Sequence, residues 1–377
     1  MDFSLTREQE ILRDTVREFA QRELAPNALA LDEKGEFIRD IVKKTAELGL
    51  VGIITSKEYG GSGMGHLARM IAIEEFSRVY ASLGFFFQTG QIGMYILENF
   101  GTEEMKKKYL PSLCQADLII ATALTESGGG SDPSTMTTTA ELAGDEYVIN
   151  GRKVMISLTP VCDLAVVVAK TGDRFSAFLV ERGTPGLDTP NRENYPGLRG
   201  EPVGDLVLTN CRVPKSNLIG QEGRGLAVAI SGIGAMGRTG VAGVGLGIAE
   251  GCYEAAVKYA KERELYGKPI AALQAIQYML VDSNLEIEAA RWLCYYAAWL
   301  LDQGKSPRDA GDEIARCKLY ACNIASQVAL RAIQIMGGYG TIPEYEIVRR
   351  LNDSIELFTA AGTQEIMKNT IGRSIVS

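Results

Sequence analysis

The run Tyr147-Val148-Ile149, followed by Asn150-Gly151 and then by residues 153–158, decides how the rest of the chain is read. Two β-prone apolar segments separated by Asn-Gly predict a hairpin, because Asn-Gly tolerates the positive φ angles of a type I′ turn. Residues 164–169 and 175–180, joined across Thr171-Gly172-Asp173, predict a second hairpin, and residues 205–209 a further strand. Outward from this block the periodicity changes on both sides. Upstream, Thr6 and Gln9 have capping-box spacing ahead of apolar Leu12, Val16, Phe19 and Leu24, and helical patterns recur over 41–48, 69–78 and 103–110. Downstream, 241–263 and 271–303 read as long helices, the second closed by Gly304. Ser306-Pro307 supplies an N-cap and an N1 proline for a third, in which Ile314, Cys317, Ala321, Ile324, Val328 and Ile335 recur at helical spacing. The predicted fold class is α+β, with an N-terminal α-helical domain (1–115), a middle antiparallel β domain (116–225) and a C-terminal four-helix bundle (226–377).

Composition narrows the chemistry. Hydrophobic residues make up 46% of the 377 and charged residues 23%, enough to bury a large core. The formal net charge of -8 argues against a nucleic-acid partner. No apolar run approaches the ~20 residues of a bilayer span, and Met1-Asp2-Phe3 opens neither a signal nor a transit pattern, so a cytoplasmic protein is expected. The seven cysteines are scattered without a Cys-x-x-Cys pair, and His66 is the single histidine. Metal sites and serine or cysteine triads are therefore disfavoured, and an organic cofactor is expected to carry any chemistry. Gly232-Ile233-Gly234-Ala235-Met236-Gly237 matches Gly-x-Gly-x-x-Gly, but the following residues read as helix and not as the βαβ unit of a dinucleotide site. These glycines are expected to serve close packing instead.

Five segments, in order, resemble the acyl-CoA dehydrogenase family across essentially the whole chain: Thr125-Glu126-Ser127-Gly128-Gly129-Gly130-Ser131-Asp132; Asn150-Gly151-x-Lys153; Arg263-x-x-Tyr266-Gly267-Lys268-Pro269-Ile270; Gln334-x-x-Gly337-Gly338-Tyr339-Gly340; and Gly362-Thr363. The resemblance implies FAD as cofactor, an acyl-CoA substrate, an electron-transferring flavoprotein as partner and a homotetramer or homodimer. It places Leu124, Thr125, Ile156 and Ser157 at the flavin ring. Arg263, Gln274, Gln334, Gly338 and Thr363 would hold the FAD pyrophosphate and adenosine of a neighbouring subunit, and Ser131 and Arg238 the CoA moiety. No metal is implied.

The chain departs from the family pattern where the catalytic glutamate is expected. The position before Gly362-Thr363 is Ala361, and the alternative position, before Arg238, is Gly237. The stretch 88–93, where a related subgroup carries an aspartate, offers Gln88 and Gln91. Ala360, Met155 and Ala235 also replace bulkier or charged family residues, which implies an enlarged pocket and a bulky, branched or cyclic acyl group. An alanine accepts no proton. Three readings stay open: an acyl-CoA dehydrogenase or enoyl-CoA reductase with relocated proton chemistry, a flavin monooxygenase or oxidase on the same fold, and a silent CoA- or flavin-binding homologue.

Overall fold

The computed structural model describes residues 4–376. Six helices come first: α1 (Arg7–Phe19), α2 (Ala28–Lys34), α3 (Arg39–Glu47), α4 (His66–Val79), α5 (Ala81–Phe100) and α6 (Glu103–Cys114). The Thr6 hydroxyl accepts the Gln9 N–H and the Gln9 side chain returns to the Thr6 N–H, so the expected capping box starts α1. α5 is buried on every face except at its last turns, and it forms the floor on which the later elements pack. Gly93 lets β1 approach it, since a Cβ there would lie 2.7 Å from Ile120.

Eight strands follow: β1 (Ile120–Ala123), β2 (Thr139–Ala143), β3 (Glu146–Ser157), β4 (Leu164–Thr171), β5 (Arg174–Glu181), β6 (Leu187–Asp188), β7 (Val203–Pro214) and β8 (Leu218–Ile219). They form one sheet in the order β6-β7-β3-β2-β4-β5-β8, with β1 beside β4. Two sequence expectations are corrected here. The sheet is mixed, because β1 and the edge of β2 pair with β4 in parallel. Asn150-Gly151 is also not a hairpin turn. β3 runs straight through it, and the turn back to β2 lies at Gly144 (φ 68). Gly151 instead sits at a shift of register against β7, with a Cβ position 2.3 Å from the Thr138 hydroxyl, so it is a bulge that only glycine fits. The β4–β5 hairpin turns at Gly172 (φ 58) as expected.

The C-terminal part comprises α7 (Gly225–Gly232), α8 (Thr239–Glu262), α9 (Gln274–Asp302), α10 (Gly311–Met336), α11 (Ile347–Glu356) and α12 (Gln364–Val376). α10 begins at Gly311, five residues after Ser306. The Ser306 hydroxyl accepts the Asp309 N–H and caps a preceding turn rather than the helix itself. Gly232 to Gly237 lies inside the helical path from α7 to α8, so no strand precedes it. Residues 225–262 are long and apolar enough to cross a membrane, against expectation, yet 72% of the apolar window is buried inside the protein. That apolarity goes into packing α8 between α4 and α10. All seven cysteines are buried and unpaired.

Candidate active site

The middle sheet presents the first group of expected residues. Leu124 and Thr125 leave the end of β1, and Ile156 and Ser157 end β3, with Ser157 opposite Val203 of β7. Two contacts hold the segments side by side. The Val154 N–H donates to the Thr125 carbonyl at 3.0 Å. The Lys153 ammonium, fully buried, donates to the Leu124 carbonyl at 3.1 Å and to Glu126 Oε1 at 2.8 Å. Burial pushes the Glu126 carboxyl up, but Lys153 and the Thr137 and Thr138 donors outweigh it and hold the group at about 2. Met155 (φ 58) and Leu158 (φ 68) are left-handed without being glycine, which marks the segment around Ser157 as strained. The hydroxyls of Thr125 and Ser157 make no hydrogen bond to any described residue. Ser131 lies exposed in the loop beyond Glu126, just before Asp132.

The second group gathers at the loop between α11 and α12. Ala361 (φ 54) and Gly362 (φ 107) are both left-handed. Lys318 of α10, fully buried, donates to the carbonyls of Phe358 at 3.3 Å and Gly362 at 2.8 Å. Arg238 Nε donates to the Ala361 carbonyl at 3.4 Å. Burial pushes both cations below their ordinary values. Thr363 caps α12, its hydroxyl accepting the Ile366 N–H at 3.3 Å. Gly237 faces this loop: a Cβ there would lie 3.3 Å from Ala361 Cβ, 3.3 Å from Ile92 Cδ1 and 3.4 Å from Gln88 Nε2. Gln91 is occupied elsewhere. Its carbonyl accepts from Arg69 Nε, and its amide nitrogen donates to the Val51 carbonyl at 2.9 Å.

The third group lines a cleft of about 750 Å³ in the C-terminal part, which contains Arg263, Gln334 and Gly338 beside Tyr259, Leu273 and Tyr339. Gln274, the first residue of α9, adjoins Leu273 but does not itself line the cleft. The sheet residues Leu124, Thr125, Ile156 and Ser157 are likewise absent from its walls.

Close to the sheet cluster, Glu201 was not signalled by the sequence. It precedes Pro202, whose carbonyl accepts the Leu158 N–H at 2.6 Å, and it is 3% exposed. Only one carboxyl oxygen is bonded, to the Thr89 hydroxyl at 2.6 Å, and burial pushes the group up to about 8. A carboxyl raised in the folded state binds a proton that the unfolded chain has lost. Stability therefore falls as pH rises from the ordinary 4.5 toward 8, by up to about 1.4 kcal/mol per pH unit. Glu201→Gln should match the parent near pH 5 and become clearly more stable by pH 9, read from urea midpoints. Parallel curves would refute the assignment.

Comparison with known proteins settles the lineage. The acyl-CoA dehydrogenase N-terminal, middle and C-terminal domain models match residues 6–117, 121–211 and 223–376. The chain belongs to the acyl-CoA dehydrogenase family. It is 39% identical to the short-chain specific acyl-CoA dehydrogenase of Clostridium acetobutylicum, over the whole of both chains. It is 38% identical to the caffeyl-CoA reductase-Etf complex subunit CarC of Acetobacterium woodii, over 97% of each. Butyryl-CoA dehydrogenase from Megasphaera elsdenii superposes with a TM-score of 0.96 at 32% identity, each chain fully covered.

Acyl-CoA dehydrogenases are FAD-binding oxidoreductases acting on the CH–CH group of acyl-CoA. The donor set present here suits that cofactor. The Thr125 and Ser157 hydroxyls are uncommitted, and Arg263 has no side-chain partner among the described residues. Gly338 leaves its Cβ direction open, so a ligand can approach the backbone closely. If Arg263 and the residues beside it hold the dinucleotide of a second subunit, Arg263→Ala should lose FAD and assembly together, as followed by absorbance and sedimentation. A monomeric Arg263→Ala protein with full FAD occupancy would refute this.

Proposed function

We propose that this acyl-CoA dehydrogenase oxidises an acyl-CoA, or reduces the matching enoyl-CoA, whose acyl group is bulky, branched or cyclic, with a proton donor or acceptor relocated from position 361. The observation that carries the proposal is that Ala361 faces Gly237, where an added Cβ would lie 3.3 Å from Ala361 Cβ, with no carboxylate on either. Bound FAD would supply the hydride acceptor or donor for the acyl group. Leu124, Thr125, Ile156 and Ser157 would orient it, with the Ser157 hydroxyl donating toward the ring. Arg263, Gln274, Gln334, Gly338 and Thr363 would hold the dinucleotide portion of a neighbour's FAD. Ser131 and Arg238 would hold the CoA portion of the substrate.

A homotetramer or homodimer is implied by that sharing. It also suits α9, on which Tyr278, Val281, Leu285, Trp292, Tyr296 and Trp299 stay exposed at helical spacing. An electron-transferring flavoprotein is the proposed redox partner, in keeping with the CarC relative. The direct test is anaerobic. The purified yellow protein should be bleached by an acyl-CoA, or reoxidised by an enoyl-CoA after chemical reduction, without oxygen uptake. Oxygen consumption coupled to substrate oxygenation would instead select a monooxygenase.

Ala361→Glu separates a natural pocket from a disabled one. A glutamate there occupies space next to Gly237 and buries a carboxylate, which costs several kcal/mol if unpaired. Activity on the native bulky thioester should fall, and any gain should be confined to short straight chains. A gain of orders of magnitude on every thioester would refute the relocation.

A further inference from the structure

Gln88 is a buried amide without a hydrogen-bond partner among the described residues. It is 3% exposed on α5, and neither its Oε1 nor its nitrogen bonds to any of them. An unsatisfied buried polar group of this kind is unfavourable, so its retention calls for a ligand. The amide points at the candidate acyl site. Its nitrogen lies 3.4 Å from the Cβ direction of Gly237, the same point that Ala361 Cβ and Ile92 Cδ1 approach to 3.3 Å. Behind it stands Arg69, fully buried, whose hydrogen bonds go to Gln91, Thr239 and the carbonyls of Phe87 and Met236 and to no carboxylate. Arg69 and the Gln88 stem press on the same glycine, each 2.7 Å from the Cβ direction of Gly240, so the glutamine cannot swing away through that side.

We infer that Gln88 is a specificity-determining residue that selects an acyl group bearing a hydroxyl. This deepens the proposed function and rests on it. The chemistry narrows the substituent. A hydrocarbon leaves both ends of the amide unpaired. A carboxylate accepts from the nitrogen but sets an anion against Oε1. A hydroxyl accepts from one end and donates to the other. A free water has the same valence and meets both ends of the amide equally well, so thioesters paired with and without a hydroxyl are what separate it from a substrate hydroxyl.

The test uses the FAD-loaded enzyme and enoyl-CoA thioesters of increasing length, made in pairs with and without a terminal hydroxyl. In the parent, one hydroxylated member should show a KM roughly tenfold below its plain partner, the fold-change of one satisfied hydrogen bond. Gln88→Leu and Gln88→Met should abolish that ratio, and should raise the melting temperature of ligand-free protein because the unpaired amide is gone. A parent without preference in any pair overturns the inference. So does a Gln88 variant that keeps the ratio, or one that lowers kcat equally on every member, as loss of a proton-relaying water would. If no thioester changes the flavin spectrum, the proposed function fails first, and that outcome is distinct from the others.

Discussion

Lys153→Met should destabilise the protein by about 3–5 kcal/mol, the usual consequence of leaving a buried charge without its partner. Lys153 and Glu126 are 0% and 5% exposed, and their 2.8 Å contact ties β3 to the loop after β1. In the variant Glu126 keeps the Thr137 and Thr138 donors but loses its counter-charge, and the Leu124 carbonyl loses a donor. Because the same tie sets Leu124 and Thr125 beside Ile156 and Ser157, flavin retention should fall as well. The double variant Lys153→Met/Glu126→Gln should recover most of the stability, since replacing a whole buried pair costs far less than breaking it. Thermal melts and flavin-to-protein absorbance ratios of the three proteins check this. A single variant as stable as the parent would show that the pair holds nothing.

Lys318→Met should be the second large effect. The ammonium satisfies two carbonyls in the loop before α12, and each oxygen left without a donor is unfavourable by about 1–3 kcal/mol. Relief from burying a cation offsets part of that, so a net loss of roughly 2–3 kcal/mol is expected. Function should suffer more than stability suggests, because the loop carries Ala361 and Thr363 and is otherwise pinned by Arg238. Weaker thioester binding, seen as a lost perturbation of the flavin spectrum, is the expected readout at a temperature where the variant is still folded. Unchanged binding would mean that the loop holds its shape without Lys318.

The order of helix, sheet and helix was readable because most elements advertise their period. The Thr6–Gln9 capping box and the stripe along α10 are examples. α5 left no such mark. A helix apolar on all faces has no amphipathic period to detect, and it is the helix that carries Gln88 and Thr89. Asn150-Gly151 misled for a different reason: glycine serves a bulge as well as a turn, and only the Thr138 hydroxyl lying across the sheet decides between them. The parallel pairing of β1 is with β4, whose residues lie far along the chain and outside any local window. Motif spacing brought Lys153 into view, but its pairing with Glu126 is a tertiary fact. Glu201 carried no signal at all, and Gln88 came into view only through its place in the stretch 88–93, because the interest of both lies in a missing partner rather than a residue type.

The left-handed backbone at Ala361 has a consequence for how this fold changes its chemistry. At φ 54 an unbranched side chain such as glutamate meets much the same local penalty as alanine, about 1–2 kcal/mol, because the clash involves Cβ and none of the atoms beyond it. The path of the loop is therefore indifferent to whether alanine or glutamate stands there. Lys318 and Arg238 reinforce this, since both grip main-chain oxygens. Position 361 thus behaves as an interchangeable fitting on a fixed bracket. A lineage can remove or restore an acid there by a single substitution, and a series of variants at 361 compares proton chemistries on one unchanged frame.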